Sequence, residues 1–267
     1  MSSESEAIVA AGYDAVYRAV PRSPTLWQIW LDHAVGTDFP HEFSHISFVT
    51  LAELRSLANS LQLREGTTLA DFACGMAGPS LWIASQFPVR VVGIDASAVA
   101  VELATARADQ LGLADRSSFG AGTFAATGLT TGSAGAALSL DALQYAPSKT
   151  DALRELARVL APNGRLGLTA FELHPERAAD LAVLGDDPIP DYRPLLEASG
   201  FDIETYDETP GWAARVSGAY EAIIENATRL TAEMGDGAYS SLALEVGMTL
   251  ERRPYRRRVV VIATRRT

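Results

Sequence analysis

One cysteine, Cys74, stands in 267 residues, so no disulfide can form within the chain, and a reducing compartment such as the cytoplasm is the expected location. Basic residues are also scarce. Twenty-two Lys and Arg against 33 Asp and Glu leave a net charge of -11. Nucleic-acid phosphates attract broad basic faces, and this balance leaves none. The local exception is the run of arginines from Arg252 to Arg266, read here as a solvated edge strand, since charge protects an edge from pairing with other chains. No apolar run is long enough to cross a bilayer. The first residues, MSSESEAIVAAGYDAVY, are polar and acidic, where a secretion signal has a basic start and a long apolar stretch. There is no internal repeat and no long low-complexity linker. What is abundant is hydrophobic surface: 48% of residues are hydrophobic and 21% charged, which suits one large domain with an added cap and argues against disorder.

Residues 1 to about 60 read as helical, with apolar spacing near the helical period in Ile8–Val20 and Val49–Leu61. Between them, PTLWQIWLDHAVGTDFPHEFSHISF holds Trp27, Trp30, Phe39, Phe43, Phe48 and three of the four histidines; that density suggests a cap or pocket wall. From residue 67 the pattern changes to alternation. TTLADFA, RVVGID, SSFGAG, AGAALSLD and RLGLTAFEL read as strands. PSLWIASQF, SAVAVELATARADQLGL (Ser97 as N-cap) and KTDALRELARVLA read as helices. Pro162-Asn163-Gly164 ends the last of these in a left-handed turn. Such alternation implies a parallel sheet covered on both faces. In the tail, YRPLLEASGF is a helix and DIETYDE a strand. Residues 213–235 and a stretch to about Leu250 are helical, and RRRVVVIATRR is a closing strand with an antiparallel partner.

The chemistry concentrates in LADFACGMAGPSLWIA, residues 69–84. Small residues at 73, 75, 77 and 78 let backbone amides and a helix N-terminus approach a ligand. Asp71 ends the strand. Asp95 follows Gly78 by seventeen residues at the tip of the next strand, close to the spacing at which a carboxylate accepts from the hydroxyls of a ribose. These features alone specify an adenosine-containing ligand. An acid at the head of the loop suits a cationic amino-acid tail and opposes a pyrophosphate, which favours S-adenosylmethionine over a nicotinamide dinucleotide.

This segment resembles motif I of the class I S-adenosylmethionine-dependent methyltransferases, with Ala73 and Ala77 in place of two glycines. VVGIDAS, GTFAATGL, ALSLDALQYAP and LRELARVLAPNGRLGLTAFE continue the likeness in the family's order, over about residues 65–172, and GFDIETYDETPGW is similar to a sixth strand in small-molecule members. The resemblance implies that Asp71, Ala73, Gly75 and Gly78 approach the methionine part and that Asp95 holds the ribose. It places Ala96, Thr123 and Phe124 beside the adenine, and Leu140, Asp141 and Gln144 near the methionine moiety and the substrate entrance. Tyr145 stands where many small-molecule relatives carry a histidine.

Methyl transfer needs a base only when the nucleophile carries a proton, and histidine suits that role. His174, after the fifth strand, and His45 are the candidates, with Tyr145 orienting substrate. His41 and His45 are four apart, but Pro40 precedes them and no third ligand is evident, so no metal is expected. Trp27, Trp30, His41, Phe43, Phe48, Phe171 and Trp212 are expected to line the substrate space, each with core packing as its alternative. Cys74 reads as a buried filler. The expectation is therefore an α/β, Rossmann-like, mostly parallel seven-stranded sheet with helices on both faces. An N-terminal helical cap, 1–62, precedes the methyltransferase domain, 63–267, which carries a helical insertion at about 211–250. The function expected is methyl transfer to a small molecule, such as one of secondary metabolism, at O before N or C. Neither nucleic acid nor membrane is a partner, and a homodimer is left open. The alternatives are a different reaction on the same cofactor, such as a cyclisation, a non-catalytic binding protein, or a nicotinamide-dependent oxidoreductase.

Overall fold

The computed structural model describes residues 3–177 and 188–267. Seven strands form one sheet in the order β3-β2-β1-β4-β5-β7-β6. They are β1 (Thr68–Phe72), β2 (Arg90–Asp95), β3 (Ser117–Ala121), β4 (Ala134–Leu140), β5 (Leu160–Leu173), β6 (Phe201–Glu208) and β7 (Arg256–Arg265). β1 to β5 pair in parallel, while β7 runs antiparallel between β5 and β6. The parallel strands therefore end on one edge, and β1 and β4 are neighbours although β2 and β3 intervene in sequence. That reversal opens a crevice at their carboxyl ends, where ligands bind in sheets of this kind.

The helices are α1 (Ser3–Ala19), α2 (Pro24–Ile29), α3 (Leu51–Ser60), α4 (Gly78–Gln86), α5 (Ala98–Gln110), α6 (Lys149–Val159), α7 (Arg193–Ala198), α8 (Trp212–Glu225), α9 (Ala227–Met234) and α10 (Asp236–Arg252). Local chemistry sets their ends. Ser97 caps α5 by accepting from the Ala100 amide, and Thr50 and Glu53 form a capping box on α3. Asn163 adopts the expected left-handed conformation, φ 62°. The single helix read over 213–235 is two, because Asn226 ends α8. Side chains alternate across the sheet. Leu69, Val91 and Leu138 join one core with the N-terminal helices and α8–α10, whereas Ala70, Ala137, Val259 and Val261 join another with α6 and α7.

The arginine-rich tail is not a solvated edge. β7 is inserted between two strands, so its arginines meet partners across the sheet. Arg257 bridges Glu208 and Glu172, Arg266 pairs with Asp202, and Arg258 is fully buried against Asp141 and Glu53. The edge reading failed because the position of β7 depends on β6, whose paired residues lie 51 to 64 positions earlier in the chain. Among the described residues no helix is long and apolar enough to cross a membrane.

Candidate active site

The chain leaves β1 into a loop with Ala73, Gly75 and Ala77 at φ 57°, 53° and 55°. Three left-handed residues in five curl the backbone back on itself. The two alanines carry a cost of about 1–2 kcal/mol each that glycine would not. A side chain at Gly75 would stand 2.8 Å from the Tyr17 hydroxyl, so the bare backbone there keeps the space between the loop and α1 open. Gly78 has a different task. A Cβ there would lie 2.1 Å from the Phe43 carbonyl oxygen, and the residue does not face the cavity. Its small size serves the packing of α4 on the 41–43 turn rather than the ligand contact expected for it.

A pocket runs from this loop, over the tips of β1, β2 and β4, to a chamber walled by α1, α8 and α10. Of the residues expected to hold cofactor, Asp71, Ala73, Gly75, Asp95, Ala96, Thr123, Phe124, Leu140, Asp141 and Gln144 all line it. Asp95 accepts from the Gly75 amide and from the Ser97 amide, both at 2.8 Å. Each of its oxygens keeps a second lone pair for a ligand hydroxyl. Burial raises its pKa and those amide bonds oppose the rise. Burial pushes Asp71 up to about 7, against a hydrogen bond from Ser80 and with help from the Asp95 charge. A buried carboxyl of that kind gains its full charge when a cation arrives.

Asp141 is held by protein. It takes a fork from Arg258 (2.8 and 3.1 Å) and the Phe48 amide at 2.8 Å, which ties the aromatic segment to the tip of β4. Arg107 makes a second tie, donating to the Ser44 and Met76 carbonyls at 2.6 and 3.0 Å. The aromatic segment is thus fixed over the sheet edge from two sides.

Its histidines divide. His45 lines the pocket and is buried; burial lowers its pKa to about 3. Its Nδ1 accepts from the Ser47 amide at 3.2 Å. An amide can only donate, so the neutral ring carries its proton on Nε2, which is buried without a partner among the described residues. The ring is set up to donate to a ligand, and the base expected at His45 is absent in this form. His174 lies outside the pocket between Glu176 (2.9 Å) and Glu172 (3.4 Å). Tyr145, Trp30, Phe48 and Phe171 line the chamber. Trp27, His41, Phe43 and Trp212 stand one layer behind it: Trp27 packs edge-on to His41, and Trp212 against Phe171 while donating to Glu208.

The chamber also holds residues the sequence reading did not single out: Tyr13 and Tyr17 from α1, Tyr220 from α8, Glu245 and Thr249 from α10, and Arg256 at the start of β7. The basic run did mark the region of Arg256, but no spacing rule joins segments more than 200 residues apart. No group of three His, Cys, Asp or Glu side chains among the described residues is placed to hold a metal.

A sulfonium nucleoside with an amino-acid tail fits these residues. The loop is bare where a Cβ would fill it, carboxylates stand at two neighbouring strand tips, and both the Gln144 Oε1 acceptor and the His45 Nε2 donor are buried and unpartnered among the described residues. Comparison with known proteins agrees. Residues 69–164 match the model of a methyltransferase domain family. The chain is 27% identical over 261 residues to 27-O-demethylrifamycin SV methyltransferase of Amycolatopsis mediterranei, covering 89% of this chain and 92% of that one. It is 31% identical over 112 residues to a sterol 24-C-methyltransferase of Aspergillus fumigatus, a match spanning 42% of this chain and 30% of that enzyme. Among solved structures, the [4+2]-cyclase SpnF superimposes with a TM-score of 0.76 at 21% identity, over 97% of this chain and 95% of that one. With the loop, the strand order and these relatives in agreement, residues 69–164 form a methyltransferase domain, and the chain is an S-adenosylmethionine-dependent enzyme similar along most of its length to a small-molecule methyltransferase.

Proposed function

We propose that this enzyme transfers a methyl group to a hydroxyl oxygen of a small, partly apolar metabolite. The observation that carries the reading is the make-up of the chamber beyond the strand tips. Its walls are Trp30, Phe48, Phe171 and Leu242, and its polar groups are tyrosine hydroxyls, the Glu245 carboxylate and Arg256. Such a space takes an apolar body and orients an oxygen. The rifamycin relative, whose name places the methyl group on an oxygen, supports the same acceptor atom.

In this reading Asp71 faces the ammonium of the cofactor's amino-acid tail and Gln144 accepts from it. Asp95 takes the ribose hydroxyls, and Thr123, Phe124 and Ala96 enclose the adenine. Bound there, S-adenosylmethionine supplies an electrophilic methyl carbon on a cationic sulfur. The protein's part is to hold the acceptor oxygen in line and to keep water out. Positioning of this kind is worth about 7–11 kcal/mol of barrier in favourable systems. The pinned aromatic segment and the α1, α8 and α10 walls serve it directly.

The test is incubation of the purified enzyme with trideuteromethyl-labelled S-adenosylmethionine and neutral hydroxylated acceptors, among them 27-O-demethylrifamycin SV and 2-naphthol. S-adenosylhomocysteine and product mass are read together. Product bearing the label on oxygen, in step with S-adenosylhomocysteine, is expected. Label on carbon or nitrogen overturns the oxygen assignment. Conversion of an acceptor with no S-adenosylhomocysteine formed makes the protein a cofactor-binding enzyme of another kind, as in a cyclase.

A further inference from the structure

Three tyrosines from three separate parts of the chain converge on one carboxylate. Glu245 Oε2 accepts from Tyr13 at 2.9 Å, while Oε1 accepts from Tyr145 at 2.6 Å and Tyr220 at 3.5 Å. All four residues line the same pocket as the cofactor loop. The other pocket carboxylates are engaged or turned to the cofactor: Asp95 holds two amides, Asp141 is forked by Arg258, and Asp71 ends β1 beside the loop. His45 presents an N–H, and His174 is elsewhere. Only the Glu245 cluster combines a carboxylate with the acceptor chamber.

We propose that Tyr145 and Glu245 form a proton relay for the acceptor hydroxyl, with Tyr145 touching the substrate and Glu245 acting through it. This rests on the oxygen-methylation reading. The phenol of Tyr145 commits its hydrogen to Glu245 and, beyond its contact with Tyr13, keeps an oxygen lone pair for an acceptor. The acceptor O–H donates to that oxygen. As the acceptor O–H bond breaks, its proton moves to the Tyr145 oxygen, and the proton of Tyr145 moves to Glu245 Oε1. The electron pair left on the acceptor oxygen forms the new O–CH3 bond, and the electrons of the broken S–CH3 bond remain on the departing sulfur. The carboxylate ends protonated, the tyrosine unchanged, and solvent later removes the proton.

The surroundings keep these groups in the required forms. Tyr13 and Tyr17 face the carboxylate from α1 and Tyr220 from α8, while Arg252 on the same helix as Glu245 and Arg256 on β7 act on Tyr145. Burial, then the Glu245 charge, raises the Tyr145 pKa, and burial raises those of Tyr13, Tyr17 and Tyr220. The phenols stay donors throughout the working range. The Arg256 guanidinium lies 4.7 Å over the Phe171 ring, and its Nε is buried with no partner among the described residues. It is a spare donor for the negative charge that grows on the acceptor oxygen. The substrate class is thus a hydroxyl with a neighbouring oxygen, such as a carbonyl, for Arg256 to hold.

The experiment compares the wild-type enzyme with Glu245→Gln, Glu245→Asp, Tyr145→Phe and the Glu245→Gln/Tyr145→Phe double variant. The acceptor is the one that takes label in the screen above, followed from pH 5 to 9. Cofactor binding is measured separately by calorimetry, without acceptor. Glu245→Gln and Tyr145→Phe are each expected to lose about 100-fold in kcat, with cofactor affinity within twofold of wild type. The double variant should be no slower than the worse single, as for residues acting as one unit, and Glu245→Asp should recover part of the rate. A Gln variant as fast as wild type, or losses that multiply in the double variant, overturn the relay and leave the methyl-transfer reading intact. No labelled product from the wild-type enzyme sinks the oxygen-methylation reading, and the relay falls with it.

Discussion

Replacing Arg258 by Met should cost the folded state about 3–5 kcal/mol. The Arg258 side chain is fully buried, and that of Asp141 is 4% exposed. Its fork to Asp141 measures 2.8 and 3.1 Å, and its remaining nitrogen reaches Glu53 at 2.7 Å and Thr209 at 2.9 Å. Met keeps the apolar stem, so little cavity forms. What is lost is the ion pair of Asp141, which keeps one hydrogen bond from the Phe48 amide. Removing one member of a buried pair strands the other, and the cost quoted is the usual range for that event. For a chain of this length, at roughly 2–4 °C per kcal/mol, the melting temperature should drop by about 6–20 °C. Urea unfolding followed by circular dichroism and by tryptophan fluorescence would measure it, and coincident transitions are needed before a free energy is quoted. Adding Asp141→Asn to Arg258→Met removes the stranded charge while keeping an acceptor for Phe48, and should restore most of the loss. A penalty under about 1 kcal/mol, or no recovery in the double variant, would refute the account of Arg258 as the counter-charge of Asp141.

Three further outcomes follow from the pocket. Asp71, raised to about 7 when buried without a cation, should bind the cofactor more tightly as pH rises from 5 to 8 and release a proton near neutrality. Calorimetry in buffers of different ionisation heat detects that proton, and Asp71→Asn should abolish it. Because the folded pKa lies above the unfolded value, the same group makes the cofactor-free protein less stable as pH climbs from about 4 through 7. His45 has the opposite sense. With its folded pKa lowered to about 3, stability should fall as pH drops below the unfolded value near 6.5, by about 1.4 kcal/mol per pH unit at most; an acid titration of His45→Gln should be flatter over pH 4–6. Asp95→Ala, which strips the Gly75 and Ser97 amides of their acceptor, should weaken cofactor binding by about 1.5–3 kcal/mol, and unchanged affinity in titration would remove Asp95 from the ribose.

The cofactor half of the site was legible in the sequence because it is local. Asp71, Gly75 and Asp95 lie within 25 residues, and the spacing of a strand, a tight turn and a helix places them on adjacent strand tips by itself. Gly78 shows the limit even there. Its position in the motif says that something approaches closely, and only the fold reveals that the visitor is the Phe43 carbonyl. His45 shows a second limit. A ring flagged for its residue type became a donor once the Ser47 amide met Nδ1, and which nitrogen holds the proton is decided by neighbours that a pattern does not contain.

The acceptor half was only partly legible for a related reason. Trp30, Phe48, Phe171 and Tyr145 stand out by residue type or resemblance, but Tyr13, Tyr220, Glu245 and Arg256 come from α1, α8, α10 and the start of β7. None of these four is unusual in its own window: Glu245 reads as a solvated charge on α10, and Tyr13 as an ordinary apolar position on α1. They meet because β7 returns between β5 and β6, which carries Arg256 to the sheet edge, and because α1 packs on α10 above it. Substitutions in those helices should therefore change substrate choice while the loop assigned to the cofactor stays as it is.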